Sequence, residues 1–189
     1  MGCVPGWISK CIGDLDDLGI SVVKADGKES VEPLKKVLDA FNIKTIAIKD
    51  KDDNTKTTKN EIDGIFYTDK KDLEHELVEH LSSEGSLDLL FEIVEEFSNN
   101  KTVVSYENIK KAGEKYSIDV ENTINDFKKE KVDLETVRRC NDEILKKLWL
   151  LAWLNTNKRI SIWQEIGQRV TPELVPNTYR EAFENLKQK

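Results

Sequence analysis

Two aspartates one residue apart, Asp50 and Asp52, follow the short apolar run Thr45-Ile46-Ala47-Ile48 and are the sharpest chemical feature of the chain. Residues two apart on an extended segment point to the same side, and in open α/β sheets ligands bind beyond the carboxyl ends of the strands. The pair can therefore converge on a hard cation such as Mg2+, which takes oxygen ligands from one or two carboxylates and keeps several waters. An acidic, solvated turn after a strand is the other reading of the same residues. Further on, Asp72 and Glu74 open a helix. Acids in a first helical turn suit the helix dipole; in a functional reading, Glu74 closes the metal site from the neighbouring strand end.

Other constellations are weaker. Asp50, Asp52, Asn54 and Glu61 occupy positions 1, 3, 5 and 12 of a calcium loop. Thr55 stands where that loop needs glycine, however, and a strand precedes it instead of a helix. His75 and His80 are five apart, not the four that puts two ligands on one helix face, which argues against zinc and for surface histidines. Gly27-Lys28-Glu29-Ser30 lacks the upstream glycine and the Lys-Ser adjacency of a phosphate-binding loop, so nucleotide hydrolysis is not expected. Trp149, Trp153 and Trp163 read as core anchors. Basic residues gather at Lys128-Lys129, Lys131, Arg138-Arg139, Lys146-Lys147 and Lys158-Arg159, as solvated helix faces or as a track for DNA phosphates. Three cysteines with no C-x-x-C pair fit a reducing cytoplasm.

The elements that must position these groups fall into two styles. The first eighty or so residues alternate strand and helix. A β-branched run over 19–25 ends at Asp26-Gly27, and Ser30 starts a helix with Val31, Leu34, Val37, Leu38 and Phe41 on one face. A second strand lies at 45–48, a third at 64–68, and a helix begins near Lys71. Strand, helix, strand implies parallel pairing through a right-handed crossover. The remainder is helical: 87–97, 106–116, 120–131, a long helix over 134–154 broken at 155–157, then 160–170 and 176–186, parted at Thr171-Pro172.

Composition bounds the possibilities. The chain has 189 residues, 34% charged and 38% hydrophobic, with a net charge of −7, enough for one domain with a core. The acidic balance argues against a general nucleic-acid coat protein but is compatible with carboxylates that hold metal. No stretch approaches the ~20 apolar residues that span a bilayer. No signal peptide is evident, and Gly6 stands where myristoylation wants Ser or Thr.

Taken together, these residues resemble the Toprim domain of OLD (overcoming lysogenization defect) nucleases, the family that includes the nuclease of the Gabija anti-phage system. The similarity is carried by Asp14-Leu15-Asp16-Asp17-Leu18-Gly19-Ile20-Ser21-Val22-Val23 with Asp26-Gly27-Lys28, and by Ile46 to Asp52 with its D-x-D ending. It continues in Ile65-Phe66-Tyr67-Thr68 with Asp72-Leu73-Glu74, and in Asn157-Lys158 through Val175-Pro176. The family's E-G-x-x-E-like first-strand motif has no counterpart in Met1 to Lys10.

The resemblance implies an α/β fold with a Toprim, Rossmann-like parallel-sheet core, truncated at its first strand, and a large all-helical extension. It divides the chain into a core at 1–82, a helical insertion at 83–155 and closing helices at 156–189. It implies a DNA endonuclease that hydrolyses phosphodiesters with Mg2+ or Mn2+ held by Asp50, Asp52 and Glu74. Lys158 is the candidate for the family's functional lysine. DNA, an OLD-type ATPase subunit or domain, and further copies of the chain are the implied partners, in the cytoplasm and away from membranes. A non-catalytic Toprim remnant that serves docking or dimerisation is the alternative.

Overall fold

A computed structural model describes residues 2–51, 64–98, 102–119 and 131–187. Its first element is helix α1, Val4–Ile12, with Pro5 in the first turn, where its missing N–H costs no helical bond. Val4, Trp7, Ile8 and Ile12 recur at helical spacing and are buried. A short helix α2, Leu15–Leu18, follows, N-capped by Asp14, whose carboxylate accepts the Asp16 N–H at 2.9 Å, and closed by Gly19 at a φ of 63°.

The β-branched run over 19–25 forms no strand. A fully buried parallel strand needs covering on both faces, yet Val22 and Val23 are exposed here. The expected crossover from this run through the next helix to a paired strand is therefore not made. Helix α3, Val31–Ala40, does form after a 3-10 turn at Lys28–Ser30, but Ser30 does not cap it; its hydroxyl donates to the Asp26 carbonyl at 2.7 Å.

The parallel sheet consists of β1, Ala47–Lys49, and β2, Ile65–Tyr67, in the register Ala47↔Ile65, Ile48↔Phe66, Lys49↔Tyr67. Helix α4, Leu73–Ser83, and α5, Leu87–Phe97, come next. An antiparallel pair that the sequence reading missed joins β3, Val103–Ser105, to β4, Lys131–Asp133. Between them lies α6, Tyr106–Tyr116. The helix expected over 120–131 falls outside the described residues except for Lys131, which is in β4.

The long helix expected over 134–154 is two: α7, Leu134–Arg139, and α8, Glu143–Thr156. Cys140 takes an extended conformation, and Asp142 caps a new start by accepting the Leu145 N–H at 3.0 Å. Local N-cap chemistry at Asp142 thus overrides a continuous apolar pattern. Two more helices, α9, Ile160–Arg169, and α10, Asn177–Lys187, complete the chain.

Helix α8 is the centre of the core: Leu145 and all of Leu148 to Leu154 are buried, as expected of a helix packed on every side. The Trp149 indole N–H donates to the Val132 carbonyl of β4 at 2.9 Å. All three helical tryptophans are buried, as expected of core anchors. Helix α1 packs on α9 and α10. Its approach to α9 is close: a Cβ added at Gly167 would lie 2.8 Å from the Cys3 Cα and carbonyl oxygen. Helix α10 in turn lies against β1 and β2, and α4 packs on α8. No helix among the described residues is long and apolar enough to cross a membrane.

Candidate functional site

The carboxyl ends of the two parallel strands are tied together by Thr68. Its backbone N–H donates to the Lys49 carbonyl at 2.9 Å, and its hydroxyl accepts the Lys51 N–H at 2.9 Å while donating to the Lys70 carbonyl at 2.7 Å. Thr68 is buried, so this clasp is protected from water. Asp50 leaves the end of β1 beside it. Asp52 and the remaining calcium-loop positions, Asn54 and Glu61, lie outside the described residues.

Four residues after the Thr68 clasp, Asp72 caps α4 by accepting the His75 N–H at 2.9 Å through Oδ1. Its other oxygen is also engaged: the Tyr116 hydroxyl donates to Oδ2 at 3.0 Å and the Lys115 ammonium sits 2.7 Å from it. Asn155 joins the group, its amide oxygen accepting from Lys115 at 2.8 Å and its nitrogen donating to the Tyr116 oxygen at 3.0 Å. This hub fastens α4, α6 and α8 together. It gives Asp72 an internal counter-ion and a structural role.

Glu74 lies in the first turn of α4. Its carboxylate forms an ion pair with Lys158 Nζ at 3.5 Å, from the segment between α8 and α9. The Glu74 side chain is only 12% exposed, whereas that of Lys158 is 62% exposed. The carboxylate is thus held in place, and the ammonium remains open to an incoming anion. Glu74 and Asp50 both act on the buried Tyr179 hydroxyl of α10. Burial raises its pKa well above the usual phenol value, and the negative charges of Glu76, Asp50 and Glu74 push it further. Glu74 and Lys158 thus meet at the start of α4, while Asp50 directly follows β1. Among the described residues, no three His, Cys, Asp or Glu side chains gather closely enough to hold a metal ion.

Several supporting groups gave no local sequence signal: Thr68, Lys115, Tyr116 and Asn155 act only through tertiary contacts. Glu76 is different, because it falls on the apolar face of α4 between Leu73 and Leu77. There it is 4% exposed, and its Oε2 accepts the Asp69 N–H at 2.9 Å, bracing the loop below the Thr68 clasp. Burial raises its pKa above the ordinary 4.5, eased by the Thr178 hydroxyl alongside and by the Asp69 N–H.

His75 is not the surface residue expected. Its side chain is 12% exposed and its ring lies 4.6 Å from that of Tyr116. Burial lowers its pKa, against the opposing pull of Glu79. His80 is half-buried and sits 3.3 Å from the Glu173 carbonyl. The basic clusters are partly neutralised, with Arg138 on Glu95 at 2.9 Å, Arg139 on Glu135 at 2.5 Å and Lys147 on Glu79 at 3.2 Å. Lys128 and Lys129 lie outside the described residues. The cysteines are free thiols; burial pushes Cys3 up to about 12, which makes it inert.

An acidic strand end, an acidic helix start and an exposed lysine are the parts from which metal-assisted phosphodiester chemistry is built. Residues 2–52 match the family model described as overcoming lysogenization defect protein-like, TOPRIM domain. The match runs from α1 past the end of β1, stops on Asp52 and covers about a quarter of the chain. This stretch is OLD-like Toprim sequence and points to a nuclease-type function; Toprim domains generally bind divalent metals. It contains the resembling segments at 14–28 and 46–52, while those at 65–74 and 157–176 lie beyond it. No curated protein and no solved structure matched.

Proposed function

We propose that this chain is the DNA-cutting Toprim domain of an OLD-type nuclease, hydrolysing phosphodiesters with Mg2+ or Mn2+. The observation that carries the reading is the Glu74–Lys158 ion pair at the start of α4, in a chain whose residues 2–52, with Asp50 after β1, match the Toprim model. In this reading Asp50, Asp52 and Glu74 hold the divalent ion; all three are hard oxygen donors suited to it. When bound, the ion lowers the pKa of a water and neutralises charge on the leaving oxygen. Lys158, mostly solvent-exposed, binds a non-bridging phosphate oxygen and stabilises the charge that develops there. The Thr68 clasp and the Asp72 hub fix the separation between the two carboxylate-bearing ends.

The domain plan that accompanies this reading has a truncated Rossmann-like core at 1–82, a helical insertion at 83–155 and closing helices at 156–189. Full activity in this reading depends on an OLD-type ATPase partner or on a segment that supplies an E-G-x-x-E-like motif, for which Met1 to Lys10 offer no match. An OLD-type ATPase and DNA are the partners, the cytoplasm is the compartment, and anti-phage defence is the setting. Titration of the purified chain with Mn2+ tests the ligand assignment: saturable binding lost in Asp52→Ala is expected, and undiminished binding in that variant refutes it.

A further inference from the structure

Tyr179 of α10 is completely buried, and among the described residues its hydroxyl has no hydrogen-bond partner. The ring is fixed by its neighbours: Trp7 of α1 meets it edge-on at 5.3 Å between centroids, and Phe183, one turn further on, lies at 6.2 Å. Helix α10 packs against both parallel strands. The carboxylates that act on the hydroxyl are Glu76, Asp50 and Glu74. Burial keeps the phenol protonated, so beside these acids it can only donate. An unpaired buried donor lowers a folding equilibrium constant roughly five- to hundredfold, so an arrangement that gives it an acceptor is favoured.

Of the three acids, Glu74 is the one short of donors. Glu76 already accepts the Asp69 N–H at 2.9 Å, with the Thr178 hydroxyl alongside. Asp50 is engaged in interactions of its own. The Glu74 carboxylate has the ion pair to Lys158 and, among the described residues, accepts no hydrogen bond. That pair is 3.5 Å long, and its lysine is mostly exposed. When Lys158 turns to an anion, the sheltered carboxylate loses its counter-charge. A sheltered charge without a partner is more costly than a neutral group left in the same state.

We propose that Tyr179 is a positioning residue for Glu74: when Lys158 leaves the carboxylate for a phosphate group, the buried Tyr179 hydroxyl donates to that carboxylate and holds it in place. One unpaired donor and one abandoned acceptor then satisfy each other, which lowers the cost of releasing the lysine. The exchange transfers no proton, because the phenol keeps its hydrogen. Glu74 stays oriented while Lys158 is occupied. The inference rests on the proposed nuclease function only for the phosphate that draws Lys158 away; the hydrogen bond itself is testable without DNA or metal.

Lys158→Ala mimics the departed lysine, and a double-mutant cycle with Tyr179→Phe, read by urea denaturation of the full chain, isolates the coupling. In the parent, Tyr179→Phe removes an unpaired hydroxyl, and the folding equilibrium constant is expected to stay level or rise. In the Lys158→Ala background the same change removes a hydrogen bond to a carboxylate, and a loss on the order of tenfold is expected. The coupling should vanish when Glu74→Ala is added. Fluorotyrosine labelling gives an independent readout. The fluorine resonance that Tyr179→Phe deletes from the parent spectrum is expected to move in Lys158→Ala, and to stay put when Lys158→Ala is made on a Glu74→Ala background. Equal effects of Tyr179→Phe in both backgrounds, or a coupling that survives without Glu74, overturn the proposal. Plasmid nicking by the parent is scored separately. Coupling without nicking upholds the role of Tyr179 and refutes the nuclease reading, whereas nicking without coupling refutes the role of Tyr179 alone.

Discussion

Glu74 and Lys158 come from opposite halves of the chain, yet their charged groups meet at 3.5 Å, with the carboxylate sheltered and the ammonium exposed. An ion pair built only for stability gains little from such an arrangement, since exposed pairs contribute about 0–1 kcal/mol. Its asymmetry suits a cation that can leave its partner for a phosphate.

Lys158→Ala is therefore expected to separate activity from stability. DNA cleavage should fall by roughly 10²–10³, the effect of removing one group that stabilises transition-state charge. The thermal midpoint should stay close to that of the parent. Parallel nicking assays and thermal melts check this, and a large loss of stability with activity retained would contradict the assignment.

The Asp72 hub should behave in the opposite way. Asp72→Ala removes the cap of α4 and leaves Lys115 and Tyr116 without the carboxylate they share. A loss of about 2–3 kcal/mol is expected, from the cap and the unsatisfied partners together. Tyr116→Phe, which removes one hydroxyl, should cost about 1 kcal/mol. Urea denaturation of both variants measures the difference.

Glu76 gives the fold a pH dependence whose sign is fixed by its raised pKa. The folded protein holds this proton more tightly than the unfolded chain, so its contribution is fully present below the ordinary 4.5 and is lost as pH rises through the raised folded value. His75, with a lowered pKa, acts in the opposite direction, its contribution being present above the ordinary 6.5 and lost as pH falls. Glu76→Gln should remove the first component, so that the variant gains stability relative to the parent as pH rises from acid to neutral. Denaturation midpoints across that range check it, and a gain confined to acid pH would contradict it.

Much of the helical framework was legible from periodicity. Leu87–Phe97 and Tyr106–Tyr116 were found as read, and the last two helices agree to within a residue or so at each end. The failures have physical causes. The run over 19–25 has strand-forming residues, but a strand requires a neighbour, and propensity alone cannot supply one. The break at Cys140 to Asp142 was hidden by an apolar pattern that continues across it. At the site, carboxylates adjacent to strand ends could be read from the sequence, and Glu74 and Lys158 do meet. The Asp72 hub could not be read, because its members touch only after α4, α6 and α8 have packed.

The central claim is tested most directly by nicking of supercoiled plasmid by the purified chain with Mn2+ or Mg2+, alongside Asp50→Ala/Asp52→Ala and a chelator control. Slow, metal-dependent nicking that disappears in both controls is the predicted result. A folded sample that leaves the plasmid intact, or one whose nicking survives loss of both aspartates, would contradict the account.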